Sequence, residues 1–178
     1  MAKLQKNNTE KYLRHFAKSV IERGKKILRA KGKEGKLSDS LKYRLEATSK
    51  GYNLIFKGAD YAAFVDKGVS GTKKRRMFIN IDGRRKKSPF AYTNKQPPAS
   101  VFDKWMIKKG LKGTRDKKGR FISRKSLQFA LAKSIYTKGI KASSFFSKPM
   151  SIELAKFDNG ILEAFKTDIL THFETIEL

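Results

Sequence analysis

The chain of 178 residues contains no cysteine, two histidines, four prolines, and only 16 acidic residues against 42 Lys and Arg. The absence of cysteine excludes a disulfide framework, a thiolate metal site and a cysteine nucleophile. Because His15 and His172 lie far apart in the sequence, we expect neither a histidine metal site nor a Ser–His–Asp triad. Apolar runs fall short of the roughly 18–20 residues that span a bilayer, and the first residues lack the apolar segment of a secretory signal. We therefore expect a soluble polycation made inside the cell.

Aromatic residues, in contrast, are plentiful. The chain has 13 Phe and 6 Tyr, which a disordered polycation would lack and which can build a core. A chain of this length suits one domain that buries roughly 70% of its unfolded surface. Since we find neither an internal repeat nor a linker, we predict a single domain over residues 1–178.

Positive charge is concentrated in the middle of the chain. Residues 67–125 hold 20 basic and three acidic residues, residues 149–178 hold two Lys and six acidic residues, and the whole chain carries a formal net charge of +26. Such a density of like charge repels itself unless a polyanion lies opposite, so it predicts an anionic partner, nucleic acid or protein. The contact residues that we single out are Lys73, Lys74, Arg75, Arg76, Arg84, Arg85, Lys86, Lys87, Arg115, Lys117, Lys118 and Arg120.

Motifs that read a base sequence are missing from this basic region. We find no helix-turn-helix spacing, zinc knuckle, aromatic signature of an RNA-recognition domain or heptad repeat. Basic charge without such motifs predicts salt-sensitive contact with phosphates, whatever the sequence of the nucleic acid. For any single lysine, a solvated surface position is the alternative.

The first half of the chain predicts a helix followed by a hairpin. Apolar residues at helical spacing predict a helix over residues 9–30, in which Gly24 either weakens the helix or lets another backbone approach. Two alternating apolar runs, residues 41–47 and 52–57, predict an antiparallel hairpin with one buried face. A short helix is expected next, over residues 61–67.

The second half combines basic segments with helices. Residues 69–96 form a basic extended insertion, with a flexible loop at its start and a strand and turn at residues 77–83. Helices are predicted after Pro98 and over residues 126–138, separated by a second basic loop at residues 112–121. The inner face of the helix over residues 126–138 consists of Leu127, Ala130, Leu131 and Ile135, and we also expect Trp105, Phe145 and Phe146 in the core.

A last helix begins at Pro149 and covers residues 149–178, with a possible interruption at Asn159-Gly160. Its apolar stripe consists of Met150, Leu154, Phe157, Ile161, Phe165 and Ile169. Its acidic residues, expected to face outward, include Glu153, Asp158, Glu163 and Asp168. The predicted fold class is therefore α+β, with an N-terminal helix, a small antiparallel sheet, packed helices and a long acidic C-terminal helix.

Candidate catalytic groups are few. Asp60 and Asp66 are six residues apart beside a short helix, and together with Asp82 they are a weak basis for a metal-dependent nuclease. Neither a histidine nor a further acid lies at suitable spacing. The segment 68–73 resembles a phosphate-binding loop only superficially, since the spacer and the Gly-Lys-Ser/Thr end are missing. We therefore predict no enzyme, no cofactor and no metal site.

Four segments, in order, resemble phage tail-completion and neck (head–tail connector) proteins. Residues 36–41, Lys-Leu-Ser-Asp-Ser-Leu, are similar to the G-x-L-x-x-S segment that precedes a hairpin in that family. Residues 61–68, Tyr-Ala-Ala-Phe-Val-Asp-Lys-Gly, are similar to its Y-A-x-x-V-E-x-G helix. Residues 97–111 resemble its helix with two prolines, a Trp and a Lys-Gly-Leu end, and residues 129–150 resemble the segment before its terminal helix.

The resemblance implies a structural virion protein that forms a ring of six or twelve copies at the head–tail junction. Such a ring contacts portal, adaptor or tail-tube proteins and encloses the channel for double-stranded DNA, which the basic loops would line. The protein would be made in the host cytoplasm and would bind no membrane. The charge alone also fits a free, sequence-independent nucleic-acid-binding protein, which we keep as the alternative.

Overall fold

The computed structural model describes residues 7–33, 35–49, 51–111, 113–115 and 117–176. Some parts of the sequence predictions lie outside the described residues, namely residues 1–6, Lys112 and the side chain of His172. About half of the chain is helical and a small antiparallel sheet follows the long first helix, so the predicted α+β class is confirmed. Among the described residues, no helix combines the length and the apolar character needed to cross a bilayer.

The helices and strands follow one another in an order close to the predicted one. A 3₁₀ turn spans Ala99–Phe102, directly before the fourth α-helix. The elements are α1 (Asn7–Ala30), α2 (Lys36–Ser40), β1 (Lys42–Thr48), β2 (Gly51–Lys57), α3 (Ala62–Lys67), β3 (Met77–Ile79), β4 (Arg85–Lys87), α4 (Asp103–Lys108), β5 (Thr114–Arg115), β6 (Phe121–Ile122), α5 (Arg124–Lys138), α6 (Ser147–Leu154) and α7 (Phe157–Ile176).

Contacts divide the chain into two compact units. The first unit comprises Met1–Asp66, Ile79–Arg85 and Ser143–Leu178. The second unit comprises Lys67–Phe78 and Lys86–Ala142. The sequence prediction of one domain stays a prediction.

Helix α1 organises the first unit. Its apolar stripe is buried, with Phe16 5% and Leu28 0% exposed, as the helical spacing predicted. Gly24 lies on the same stripe, and a Cβ atom at this position would be 2.8 Å from the carbonyl oxygen of Phe145. Of the two roles considered for Gly24, close approach of another backbone is therefore the one observed.

Strands β1 and β2 form the predicted hairpin. Their register pairs Tyr43 with Phe56 and Leu45 with Leu54, so these apolar side chains share one face of the ribbon. All four are half-buried, most of their neighbours along the strands are exposed, and both strands contact α1. Helix α2, directly before the hairpin, was not predicted, because five residues are too few to show a helical period.

Asp66, at the end of α3, is buried and caps α6. Its Oδ1 atom accepts hydrogen bonds from the backbone N–H groups of Phe146 at 2.8 Å and Ser147 at 3.2 Å. N–H groups at the start of a helix have no partner inside the helix, so the carboxylate satisfies both. The carboxylate considered for a nuclease thus has a structural role. Phe145, next to this cap, is 1% exposed and belongs to the core, as predicted.

Two helices, α6 and α7, occupy the region predicted as a single last helix. Helix α6 begins at Ser147 rather than Pro149, where the cap from Asp66 fixes its start, and the break falls at residues 155–156. The expected interruption at Asn159-Gly160 lies inside α7. Gly160 has a packing role instead, since a Cβ atom there would be 2.4 Å from the ring of Tyr12 on α1.

The buried face of α7 differs from the predicted apolar stripe. Phe157 and Ile161 are half-buried as expected, and the ring of Phe157 packs edge-on against Phe16 with centroids 5.0 Å apart. Two residues of the predicted stripe, Leu154 at the end of α6 and Phe165 on α7, are however 38% and 43% exposed. The helix is turned so that positions 157, 161, 164 and 168 face the unit, which places an acid on its buried side.

That acid is Asp168, so the prediction that all four acids of the last segment face outward is wrong. Asp168 is 2% exposed, and its Oδ1 atom accepts the N–H of Asn8 at 2.8 Å. Its Oδ2 atom accepts the N–H of Thr9 at 2.9 Å and the hydroxyl of Thr9 at 2.7 Å. Burial raises the pKa of Asp168, but the hydrogen bonds from Thr9 and Asn8 outweigh burial and bring the pKa below its ordinary value.

The other three acids have different environments. The side chain of Glu153 is only 13% exposed, and its Oε1 atom lies 2.6 Å from Nε of Arg23 on α1. Asp158 and Glu163 are exposed, as predicted. Two of the four acids therefore hold the first unit together, and two are free to meet solvent or another molecule.

The buried apolar residues of the second unit are Val69, Phe78, Met106 and Ala132. Its helix α5 is capped by Ser123, the residue before its start, whose hydroxyl accepts the N–H of Ser126 at 3.2 Å.

Three predictions for the second unit are wrong. Trp105 is 46% exposed rather than buried, because only Met106 of α4 points inward. On α5, three of the four predicted inner residues are half-buried as expected, but Ala130 is exposed and the fully buried residue is Ala132. The second basic loop, finally, contains the small antiparallel hairpin of β5 and β6.

Candidate polyanion-binding surface

Positive charge is divided very unequally between the two units. The second unit has 69 residues with 21 Lys and Arg and two acidic residues, a formal net charge of +19. The first unit has 109 residues with 21 Lys and Arg and 14 acidic residues, a formal net charge of +7. Most of the excess charge of the protein therefore belongs to the smaller unit.

Carboxylates of the second unit can neutralise at most two of its cations. One of them, Asp103, already accepts hydrogen bonds from the side chains of Arg124, at 2.5 Å, and Gln128. These hydrogen bonds join the start of α4 to the start of α5. The remaining cations of the unit greatly outnumber its acids, which is the composition of a surface that binds polyanions.

The first basic run, Lys73 to Arg76, is held against the C-terminal end of α5. The N–H of Thr72 donates to the carbonyl of Tyr136 at 3.0 Å, and the N–H of Lys73 donates to the carbonyl of Thr137 at 3.0 Å. The last carbonyls of a helix lack intrahelical partners, and the helix dipole makes this end negative. The backbone of this segment therefore donates hydrogen bonds to carbonyls that would otherwise be unpaired. The positive charge of its side chains interacts favourably with the negative end of the helix dipole.

Two glycines allow this close approach. A Cβ atom on Gly71 would lie 2.2 Å from the carbonyl oxygen of Thr137. A Cβ atom on Gly139 would lie 2.1 Å from the carbonyl oxygen of Val69, and Gly139 has a φ of +69°. The prediction of a flexible loop at residues 68–73 is therefore wrong. The segment is fixed by backbone hydrogen bonds, and it presents its basic side chains from a defined position.

Strand β4 brings Lys86 and Lys87 next to this run. Strands β3 and β4 pair with each other, and the N–H of Ser88 donates to the carbonyl of Arg76 at 2.9 Å. The hydroxyl of Ser88 also donates to the carbonyl of Gly68 at 2.7 Å. Two clusters that are separate in the sequence, around Arg76 and around Lys87, are thus joined in the structure.

The side chain of Arg76 is less exposed than those of the neighbouring basic residues. Lys73, Lys74 and Arg75 are exposed, and so are Lys86 and Lys87. Arg76, in contrast, is half-buried, and its Nη2 atom donates to the carbonyl of Gly139 at 3.3 Å. Arg76 therefore helps to hold the segment, whereas the side chains of the other five cations extend into solvent.

A second basic group lies on the hairpin of β5 and β6. Arg115, Lys117, Lys118 and Arg120 are all exposed, and Nη1 of Arg115 donates to the carbonyl of Gly119 across the hairpin at 2.8 Å. The last two predicted contact residues, Arg84 and Arg85, belong to the first unit. The N–H of Arg84 donates to the Asp82 side chain at 2.9 Å in the turn between β3 and β4.

Apolar residues on the surface of the second unit were missed by the sequence analysis. Val101 and Phe129 are 59% and 55% exposed, Phe121 is 68% exposed, and all three lie close in sequence to lysine or arginine. No sequence signal distinguished them from core residues, because their spacing also suits the inner face of a helix or strand. Among the described residues, no three His, Asp or Glu side chains lie close enough together to hold a metal ion.

Comparisons with protein-family models, with curated proteins and with solved structures find no match to this chain.

Proposed function

We propose that the protein is a non-enzymatic structural component of a tailed-phage virion, a ring at the head–tail junction whose basic second unit contacts double-stranded DNA. The observation that carries this proposal is the charge of the second unit, +19 over 69 residues with two acids. The backbone hydrogen bonds that hold the segment of Lys73, Lys74 and Arg75 against α5 support it, since contacts to phosphates need no sequence-reading motif. The motif order described above supports the place in the virion.

The amount of charge argues for protein partners in addition to DNA. A ring of twelve copies of +26 would carry 312 formal positive charges. Because duplex DNA carries one negative charge per ~1.7 Å, that total would neutralise about 530 Å of duplex, far more than one ring can enclose. Part of the excess therefore meets acidic surfaces of the neighbouring portal, adaptor or tail-tube proteins.

The second candidate is a free protein that binds nucleic acids without sequence preference. The same charge favours it, and it needs neither a ring nor a virion. The two candidates differ in where the protein is found. A ring component is present in purified particles in a fixed ratio to the portal, whereas a free binding protein is absent from them.

Quantitative mass spectrometry of purified virions, normalised to the portal, is the deciding experiment. We expect one copy, or half a copy, per portal subunit, which corresponds to a ring of twelve or six. Absence from particles would overturn the virion proposal and favour the free binding protein. In that case the affinity for duplex DNA should still fall steeply with salt.

A further inference from the structure

The hairpin of β5 and β6 carries the most exposed large apolar side chain that the structure describes. Phe121, on β6, is 68% exposed, although an aromatic ring gains much from burial. Single apolar residues are common on protein surfaces, so exposure alone indicates no function. The support beneath this ring and the charge around it distinguish Phe121 from the other exposed apolar residues.

Gly113 determines where the ring lies. A Cβ atom on Gly113 would be 2.4 Å from Cζ and 2.7 Å from Cε2 of Phe121, so the ring occupies the space that a side chain at position 113 would need. Any residue larger than glycine would displace it. The backbone of Gly113 thus supports Phe121 from one side, while most of the ring stays open to solvent.

Arg115 lies directly opposite Phe121. The register of the hairpin pairs the two residues, and directly opposite residues of an antiparallel pair project from the same face. Nη1 of Arg115 also donates to the carbonyl of Gly119 at 2.8 Å, which ties the guanidinium to the turn. One face of the hairpin therefore presents an aromatic ring and a cation together.

The turn of the hairpin adds to this charge. Residues 115–120 contain four Lys and Arg and one acid, a formal net charge of +3, and Lys117, Lys118 and Arg120 are exposed. The hairpin therefore attracts polyanions. Proteins hold single-stranded nucleic acid with this combination of groups, since the cations contact phosphates and the aromatic ring stacks on a base.

Nucleic acid fits this surface better than an acidic protein does. The unit to which the hairpin belongs has a formal net charge of +19 with two acids, so a uniformly anionic partner meets it best. Each nucleotide of a single strand combines one phosphate with one flat base, which matches the cations and the ring of the hairpin. In a duplex the bases are already stacked on one another, so an exposed ring selects unpaired bases.

We propose that Phe121 stacks on an unpaired base of a nucleic acid whose phosphates are held by the cations of the hairpin. The inference rests on the proposed contact between the second unit and nucleic acid, and it applies to the ring component and to the free binding protein alike. It adds a preference that phosphate contacts alone do not give, because a strand with bases then binds more tightly than a strand without them.

Two labelled probes of equal length separate stacking from charge. One is oligothymidylate, and the other is an abasic strand with the same number of phosphates. Fluorescence anisotropy should show that the wild type binds oligothymidylate more tightly. Phe121→Leu, which keeps an apolar side chain without a ring, should weaken the affinity for oligothymidylate about 5-fold or more and leave that for the abasic strand unchanged. Phe121→Tyr, which keeps a ring, should retain the preference.

Phe165→Leu is the matched control, because it makes the same change at a phenylalanine of the first unit that is 43% exposed. It should bind both strands as the wild type does. A disturbed hairpin would lower the affinity for both strands, since its cations would be displaced as well, so the ratio of the two affinities decides. Phe121→Leu should also bind duplex DNA as tightly as the wild type.

The contrary outcomes are distinguishable. If the wild type binds the two strands equally, or if Phe121→Leu keeps the full preference, the inference is wrong while the phosphate contacts of the second unit stand. If the wild type binds neither strand nor duplex DNA, the proposed contact with DNA fails and the inference fails with it. If Phe121→Leu changes only the size of the assembly in light scattering, the ring contacts another protein subunit and the inference is overturned.

Discussion

Replacement of Lys73, Lys74 and Arg75 by Gln tests whether the segment anchored on α5 contacts DNA. The three side chains are exposed, and the segment is held by backbone hydrogen bonds, so the substitutions remove charge without removing contacts that fold the unit. If each side chain neutralises one phosphate, the slope of log K against log salt becomes shallower by about 2.7. Between 50 and 200 mM salt, the affinity of the wild type then falls about 40-fold more than that of the variant.

Fluorescence anisotropy with a mixed-sequence duplex, measured over a series of salt concentrations, gives the slope for each protein. The control replaces Lys11, Lys18 and Lys26, three exposed lysines of α1, by Gln, which lowers the formal net charge of the chain from +26 to +23 just as the test variant does. We expect the control to keep a slope close to that of the wild type. Equal slopes for the two variants would refute the reasoning, because only the overall charge would then matter.

Three further predictions concern the folded structure. Asp168→Asn should lower the free energy of unfolding by about 1–3 kcal/mol in urea titrations, and Glu163→Gln should not. Because the pKa of Asp168 is lowered in the folded state, the wild type should be more stable than the Asn variant at neutral pH. This extra stability should be lost as the pH falls from the unfolded carboxyl pKa of about 4 towards the lower folded-state pKa. Gly71→Ala should cost more than the roughly 1 kcal/mol that separates Gly from Ala elsewhere, since its Cβ would overlap a carbonyl. Asp66→Ala should destabilise the protein by about 1–3 kcal/mol, while the exposed Asp60→Ala stays within about 0.5 kcal/mol.

Local periodicity was enough to predict the parts of the fold that depend on one element at a time. The stripe of α1 and the alternation of β1 and β2 each bury a face that is visible in the sequence. Gly24 could even be given its two possible roles in advance. Such predictions succeed because the spacing of side chains along a helix or strand is fixed by backbone geometry.

Predictions failed where the environment of a residue is set by a distant segment. Asp168 looks like any surface acid of an amphipathic helix, and only the N-terminus of α1, 160 residues away, makes it a buried cap. Trp105 looks like a core residue because α4 is too short to show which side packs. The basic residues of the candidate surface could be named from the sequence. The position of the first basic run against α5, however, depends on hydrogen bonds between segments far apart in the chain.

The contact between α1 and α7 also has a consequence for the order of folding. The partners of the α1 stripe, α6 and α7, are among the last elements to be synthesised, and contacts of such long sequence separation form slowly. At 5–20 residues per second, about 7–28 s pass between the synthesis of the end of α1 and that of Asp168. During this interval the second unit can already fold, while α1 has only α2 and the β1–β2 hairpin as partners and still lacks α6 and α7. Complete burial of the α1 stripe therefore has to wait until the last part of the chain has been made.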